Sequence, residues 1–150
     1  MKRNSIMENT VPKDAIIGQR ISQIWQTIDW NPGKIDFADH VFELRSGVCF
    51  RLPCWVSKPI LRADIPDNAH PWDLDPIHAI RQSAIADICC PENDECVSPD
   101  EIYILLESGL WIFQEVGAPH GVAGVGLFTS EKCPWQWPEE CGLASLFRSL

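Results

Sequence analysis

Apolar and polar positions along this chain fall into a pattern that occurs twice. Residues 42–52 read Phe-Glu-Leu-Arg-Ser-Gly-Val-Cys-Phe-Arg-Leu, and residues 104–114 read Ile-Leu-Leu-Glu-Ser-Gly-Leu-Trp-Ile-Phe-Gln. Each is a pair of apolar arms joined at Ser-Gly, Ser46-Gly47 and Ser108-Gly109, which is a β-hairpin signal. Upstream, Ile17-Gly18-Gln19 is echoed by Ile80-Arg81-Gln82, and Ile21 to Ile24 by Ile85 to Ile88. The offsets are 63, 64 and 62 residues, so the copies run in step with small insertions. A duplicated strand-plus-hairpin unit predicts a sheet-rich fold with pseudo-symmetric halves. It specifies no chemistry.

The expected fold class is mainly β with minor α. Pseudo-repeats at about 16–53 and 79–116 should form one curved antiparallel sheet or a barrel-like sandwich. Residues 1–13 read as a flexible N-terminal tail and 14–150 as one globular domain. The first strand is predicted near 19–26, with a turn at Asn31-Pro32-Gly33. His40–Arg45 and Val48–Leu52 make the first hairpin, which Pro53 ends for want of a donor. Residues 53–76 hold five prolines and read as an irregular seam between the copies. Asp75-Pro76 looks like a helix N-cap followed by proline at the first helical position, predicting a short helix over 76–81. Ile77, Ile80, Ala84 and Ile88 also keep helical spacing, but the duplication favours a strand over 83–89. After an acidic loop at 90–100, Ile102–Glu107 and Leu110–Glu115 make the second hairpin. A strand is predicted near 122–129. A short helix near 139–149 would show Leu143, Leu146, Phe147 and Leu150 on one face.

Composition narrows the class of protein. The chain has 150 residues, 45% of them hydrophobic, and no run of about 18 apolar residues that could cross a membrane as a helix. Its first ten residues lack the apolar core of a secretory signal, so a cytoplasmic location is the expectation. The seven cysteines are then expected to be reduced thiols, with Cys49 a small buried hydrophobe.

Net charge is −9, and it is concentrated. Between Asp64 and Glu107 there are eleven acids against one base, Arg81, while the rest of the chain is nearly neutral. Such a field disfavours nucleic acid and anionic membranes and favours a basic protein surface. Solvation of loops is the blander explanation.

Candidate chemistry is sparse. Gly121-Val-Ala-Gly124-Val-Gly126 has neither P-loop nor dinucleotide-binding spacing, and reads as a strand bend. Cys89, Cys90 and Cys96 with His78, or Cys133 with Cys141, offer zinc-ligand types at the wrong spacing. Cys133, His120 and Glu131 are the candidates for nucleophilic catalysis, but no nucleophile elbow or cysteine-protease signature surrounds them. No Ca²⁺-loop pattern frames the paired carboxylates, and no cofactor is implied. Trp25, Trp55 and Trp111 are expected in the core. Trp72, Trp135 and Trp137, among prolines, are candidate surface anchors.

The leading expectation is a non-enzymatic protein-binding module, of the kind represented by acidic immunity or antitoxin-type inhibitors of a basic partner. Trp72, Asp73, Asp75, Glu92, Asp94 and Glu95 would carry the contact. The alternative is a small-molecule pocket lined by Trp25, Phe50 and Trp111, with His120 at its mouth. A hydrolase using His120 and a cysteine is the third. Aromatic edge strands leave a homodimer open.

Overall fold

In the computed structural model, described residues are 9–29, 37–53, 59–72, 76–92, 102–117, 123–134 and 142–149. Among the described residues, after a 3₁₀ turn at Lys13–Ala15, strands and a short α-helix follow in chain order. They are β1 (Ile21–Asp29), β2 (Phe37–Leu44), β3 (Cys49–Arg51), β4 (Leu61–Arg62), β5 (His70–Pro71), α1 (Ile77–Arg81), β6 (Ile85–Pro91), β7 (Ile102–Leu106), β8 (Trp111–Gly117), β9 (Ala123–Ser130) and β10 (Leu143–Ser145). Two five-stranded antiparallel sheets result, ordered β5-β1-β2-β3-β4 and β10-β6-β7-β8-β9. A short parallel pairing of Phe37 with Ala123 and Ala38 with Gly124 joins β2 to β9. The sheets do not close into a barrel.

The duplication extends to individual hydrogen bonds. Leu44 N–H donates to Val48 O and Gly47 N–H to Leu44 O, both at 2.9 Å; Leu106, Leu110 and Gly109 repeat both bonds at 2.9 Å. Gly47 and Gly109 hold φ of 93° and 94°, where a Cβ would strain the turn. Each first strand is offset by a register shift at the same place, between Ile21 and Gln23 and between Ile85 and Asp87. Arg20 and Ala84, equivalent at the 64-residue offset, face each other in an isolated antiparallel bridge. Directly opposed residues of an antiparallel pair are related by a local twofold. The two units thus meet at equivalent residues.

Inner faces of both sheets share one apolar core. Ile21, Ile24, Leu44, Phe42 and Phe50 from the first unit, and Ile85, Ile88, Leu106, Ile104 and Ile112 from the second, are all buried within it. Arg81 on α1 ties the halves together. Its Nε–H donates to Ser22 O at 2.8 Å and its guanidinium also bonds Gln23 Oε1.

Three expectations are refined. The stretch over 53–76 is not wholly without regular structure: it carries β4 and β5, the two edge strands of the first sheet. They are two residues each, too short to leave a periodic signal. Over 139–149, the expected short helix is present as a 3₁₀ helix at Leu146–Ser149, and the residues before it add strand β10, paired to β6. Ladder hydrogen bonds to β6 outweigh the helical spacing at Leu143. Helix α1 occupies 77–81 as predicted, but its N-cap is Pro76, and no side chain caps it. Asp75 lies outside the described residues, as does the Asn31-Pro32-Gly33 turn. Among the described residues no helix is long and apolar enough to cross a membrane.

Candidate functional site

With the inner faces matched, the outer faces can be compared position by position. In the first sheet, Trp25, Val41, Glu43, Cys49, Arg51 and Leu61 point away from the core. Pairing and the repeat offsets place Cys89, Tyr103, Leu105, Trp111, Phe113 and Phe128 at the corresponding points of the second. The first face is held by polar contacts. Trp25 Nε1–H donates to Glu43 Oε1 at 3.2 Å, and Arg51 Nε lies 3.0 Å from Asp39 Oδ2. The second is a run of rings. Phe113 stacks on Phe128 with centroids 5.2 Å apart, and Tyr103 meets Trp111 edge-on at 6.4 Å and Phe113 at 6.3 Å.

These rings are not sunk in the core: Trp111, Phe113 and Phe128 remain half-buried on the outer side, with Tyr103 covered beneath them. Carboxylates rim the cluster. Asp87 pairs across from Leu105 and accepts a 2.8 Å hydrogen bond from Ser145 Oγ. Glu107 stands in the hairpin turn beside Leu106, Glu92 at the end of β6 and Glu131 just past β9, all three exposed. Two bases stand near them: Lys132 follows Glu131 in sequence, and Arg20 faces Ala84, whose carbonyl accepts the Glu107 backbone N–H at 2.8 Å.

The Cys89 thiol is a poor nucleophile. Burial pushes the Cys89 thiol up to about 12, helped by the negative charge of Asp87 and by its neighbours Cys90 and Cys133. It is protonated at neutral pH. Among the described residues no three His, Cys, Asp or Glu side chains are grouped to hold a metal ion.

The residues singled out from sequence fall differently. Trp72 is 4% exposed, a core residue and not a surface anchor. Its N–H donates to Ile24 O at 2.7 Å, extending the β5 edge, and its indole fills the place that Leu146 takes after β10. Glu92 is exposed; Asp73, Asp75, Asp94 and Glu95 lie outside the described residues. Trp25, Phe50 and Trp111 are not brought together. Phe50 stacks on Phe42 in the core at 5.4 Å, while Trp25 and Trp111 sit on the outer faces of different sheets, not in the core. His120, Cys96, Cys141, Trp55, Trp135 and Trp137 lie outside the described residues. Cys49 is half-buried on the outer face of the first sheet.

Sequence reasoning passed over the ring cluster, although a signal for it existed. The first hairpin alternates, as in Phe42-Glu43-Leu44. The second is apolar at every position of Ile102–Leu106 and Leu110–Phe113, the mark of strands with apolar side chains on both faces. His40 was also passed over. It is 3% exposed with neither ring nitrogen hydrogen-bonded, and burial lowers its pKa to about 4. Its counterpart in the second unit is Ile102.

Comparison with protein-family models, curated proteins and solved structures finds no match.

Proposed function

We propose that this protein is a non-enzymatic protein-binding module whose contact surface is the outer face of the second sheet. The observation that carries the reading is the divergence of two otherwise equivalent sheets. One outer face bears Glu43, Cys49 and Arg51 where the other bears Leu105, Trp111 and Phe113. Interfaces concentrate affinity in a few aromatic anchors surrounded by a polar rim. Trp111, Phe113 and Phe128 supply such a centre, and Asp87, Glu92, Glu107 and Glu131 such a rim.

The rim selects the partner's chemistry. A negative border speeds encounter with a positive surface and repels a negative one. A basic protein partner, with an apolar patch framed by Lys or Arg, fits this face. An acidic immunity or antitoxin-type inhibitor of a basic toxin is the specific form of the proposal.

The test is affinity capture from native lysate with three proteins: the wild type, Trp111→Cys/Phe113→Arg, and Glu43→Leu/Arg51→Ala as a first-sheet control. A basic protein recovered with the wild type and the control, and lost with the second-sheet variant, supports the proposal. Recovery that is equal for all three overturns it. Glu92→Gln/Glu107→Gln/Glu131→Gln should then slow association with the recovered partner and flatten its salt dependence.

A further inference from the structure

The outer faces differ in one more respect. Each sheet carries one tryptophan and one cysteine flanking its central strand, but on opposite sides. In the first sheet Trp25 on β1 pairs across from Val41, and Cys49 lies on β3. In the second, Cys89 on β6 pairs across from Tyr103, and Trp111 lies on β8. An indole therefore crosses each central strand once, from alternate flanks.

Beside Cys89, where the second sheet lacks its indole, the space is closed: the thiol is 7% exposed and feels Cys133 next to it. Beside Cys49, where the first sheet lacks its own, the space is open. A surface groove open to solvent, with a volume of about 370 Å³, lies there, at the end of the sheet by the Ser46-Gly47 turn. Val48, Ala63 and Ile65 give it apolar walls, Cys49 lies within it, and Arg62 and Asp64 supply one charge of each sign. Burial raises the Cys49 thiol, with the charge of Glu43 and then that of Asp64 adding to it.

We propose that this groove binds a planar aromatic ring of indole size bearing an N–H donor. The volume lies in the range of small-ligand sites. Three features of the groove match such a ring. Its walls are apolar on either side of a small side chain. A guanidinium can lie over an aromatic face. A carboxylate can accept from the ring N–H, as Glu43 does from Trp25 in the same sheet. The site is on the first sheet and does not depend on the aromatic face of the second.

Cys49 is its own reporter. The experiment measures alkylation of each described cysteine by mass spectrometry, with indole, N-acetyltryptophanamide or cyclohexanol added as probe. Indole and N-acetyltryptophanamide should protect Cys49 saturably and leave Cys133 unchanged, and cyclohexanol should not protect. Asp64→Asn should weaken protection about tenfold, the loss of one charge-assisted hydrogen bond. Ala63→Leu, which fills the groove, should abolish it in a protein whose thermal unfolding remains cooperative; if that variant does not fold, Asp64→Asn decides. No protection at the solubility limit of indole, equal protection by cyclohexanol, or protection indifferent to Asp64→Asn overturns the proposal.

Discussion

Glu43, Cys49, Arg51 and Leu61 on the first sheet occupy the places of Leu105, Trp111, Phe113 and Phe128 on the second, whereas Leu44 and Leu106 occupy equivalent places and are each 1% exposed. The inner positions answer to one shared core. A side chain there must be apolar and must match its neighbours' volume, so both copies stay alike. An outer position that stays open to solvent is less constrained by folding, unlike Val41, Tyr103 and Cys89, which are covered. What stands there reflects solvation or use. A run of half-buried rings on one copy alone is therefore informative in a way that the buried rings are not.

The sharpest way to break the comparison is at Leu44 and Leu106. If the two units pack equivalently, Leu44→Ala and Leu106→Ala should each cost about 2–5 kcal/mol, and by similar amounts. Urea unfolding measures both, and strongly unequal losses would show that the halves do not share one packing scheme.

The next effect comes from a core position where the copies differ in polarity, His40 against Ile102. Burial holds the folded-state pKa of His40 near 4, against 6.5 in its absence. Between those values the unfolded chain binds the extra proton. Stability contributed by the neutral imidazole is thus complete above pH 6.5, falls as pH drops toward 4, and levels off below. At about 1.4 kcal/mol per pH unit the fall is about 3 kcal/mol. His40→Ile, which copies the second unit, should remove this component and raise stability at pH 7, because it removes an unpaired buried polar group. Unfolding curves from pH 7.5 to 3.5 for the two proteins test it; parallel pH profiles would contradict the assignment.

Smaller effects follow at the turns. Gly47→Ala and Gly109→Ala meet no atom within 4 Å, so only backbone strain opposes them. Each should cost about 1–2 kcal/mol, equally, by thermal unfolding. Smallest is the Arg51–Asp39 pair of the first face. With Arg51 43% and Asp39 25% exposed, Asp39→Asn should change stability by less than about 1 kcal/mol.

Much of the framework was legible in the residues. Both Ser-Gly hairpins and their apolar arms stand where the pattern put them, as do the strand after α1 and β9. The missed elements have identifiable physical causes. β4 and β5 form because β3 and β1 offer free edges, a long-range condition that two residues cannot announce. β10 shares its apolar spacing with a helix, and the edge of β6 decides between them. Among the candidate residues, the prolines around Trp72 point to a surface position, yet Pro71 is itself an edge-strand residue that delivers the indole to the core. Proline tolerates such an edge because the missing donor faces away from the ladder. The ring cluster needed a comparison of the two hairpins, since each ring alone reads as ordinary core.

Contact through the second outer face, and not the first, is tested most directly by giving the second face the first face's residues, Leu105→Glu/Trp111→Cys/Phe113→Arg/Phe128→Leu, and measuring affinity capture beside the wild type. We expect cooperative unfolding to persist and the captured basic protein to disappear. A transplanted protein that folds and still retains the same partner in the same amount would contradict the claim.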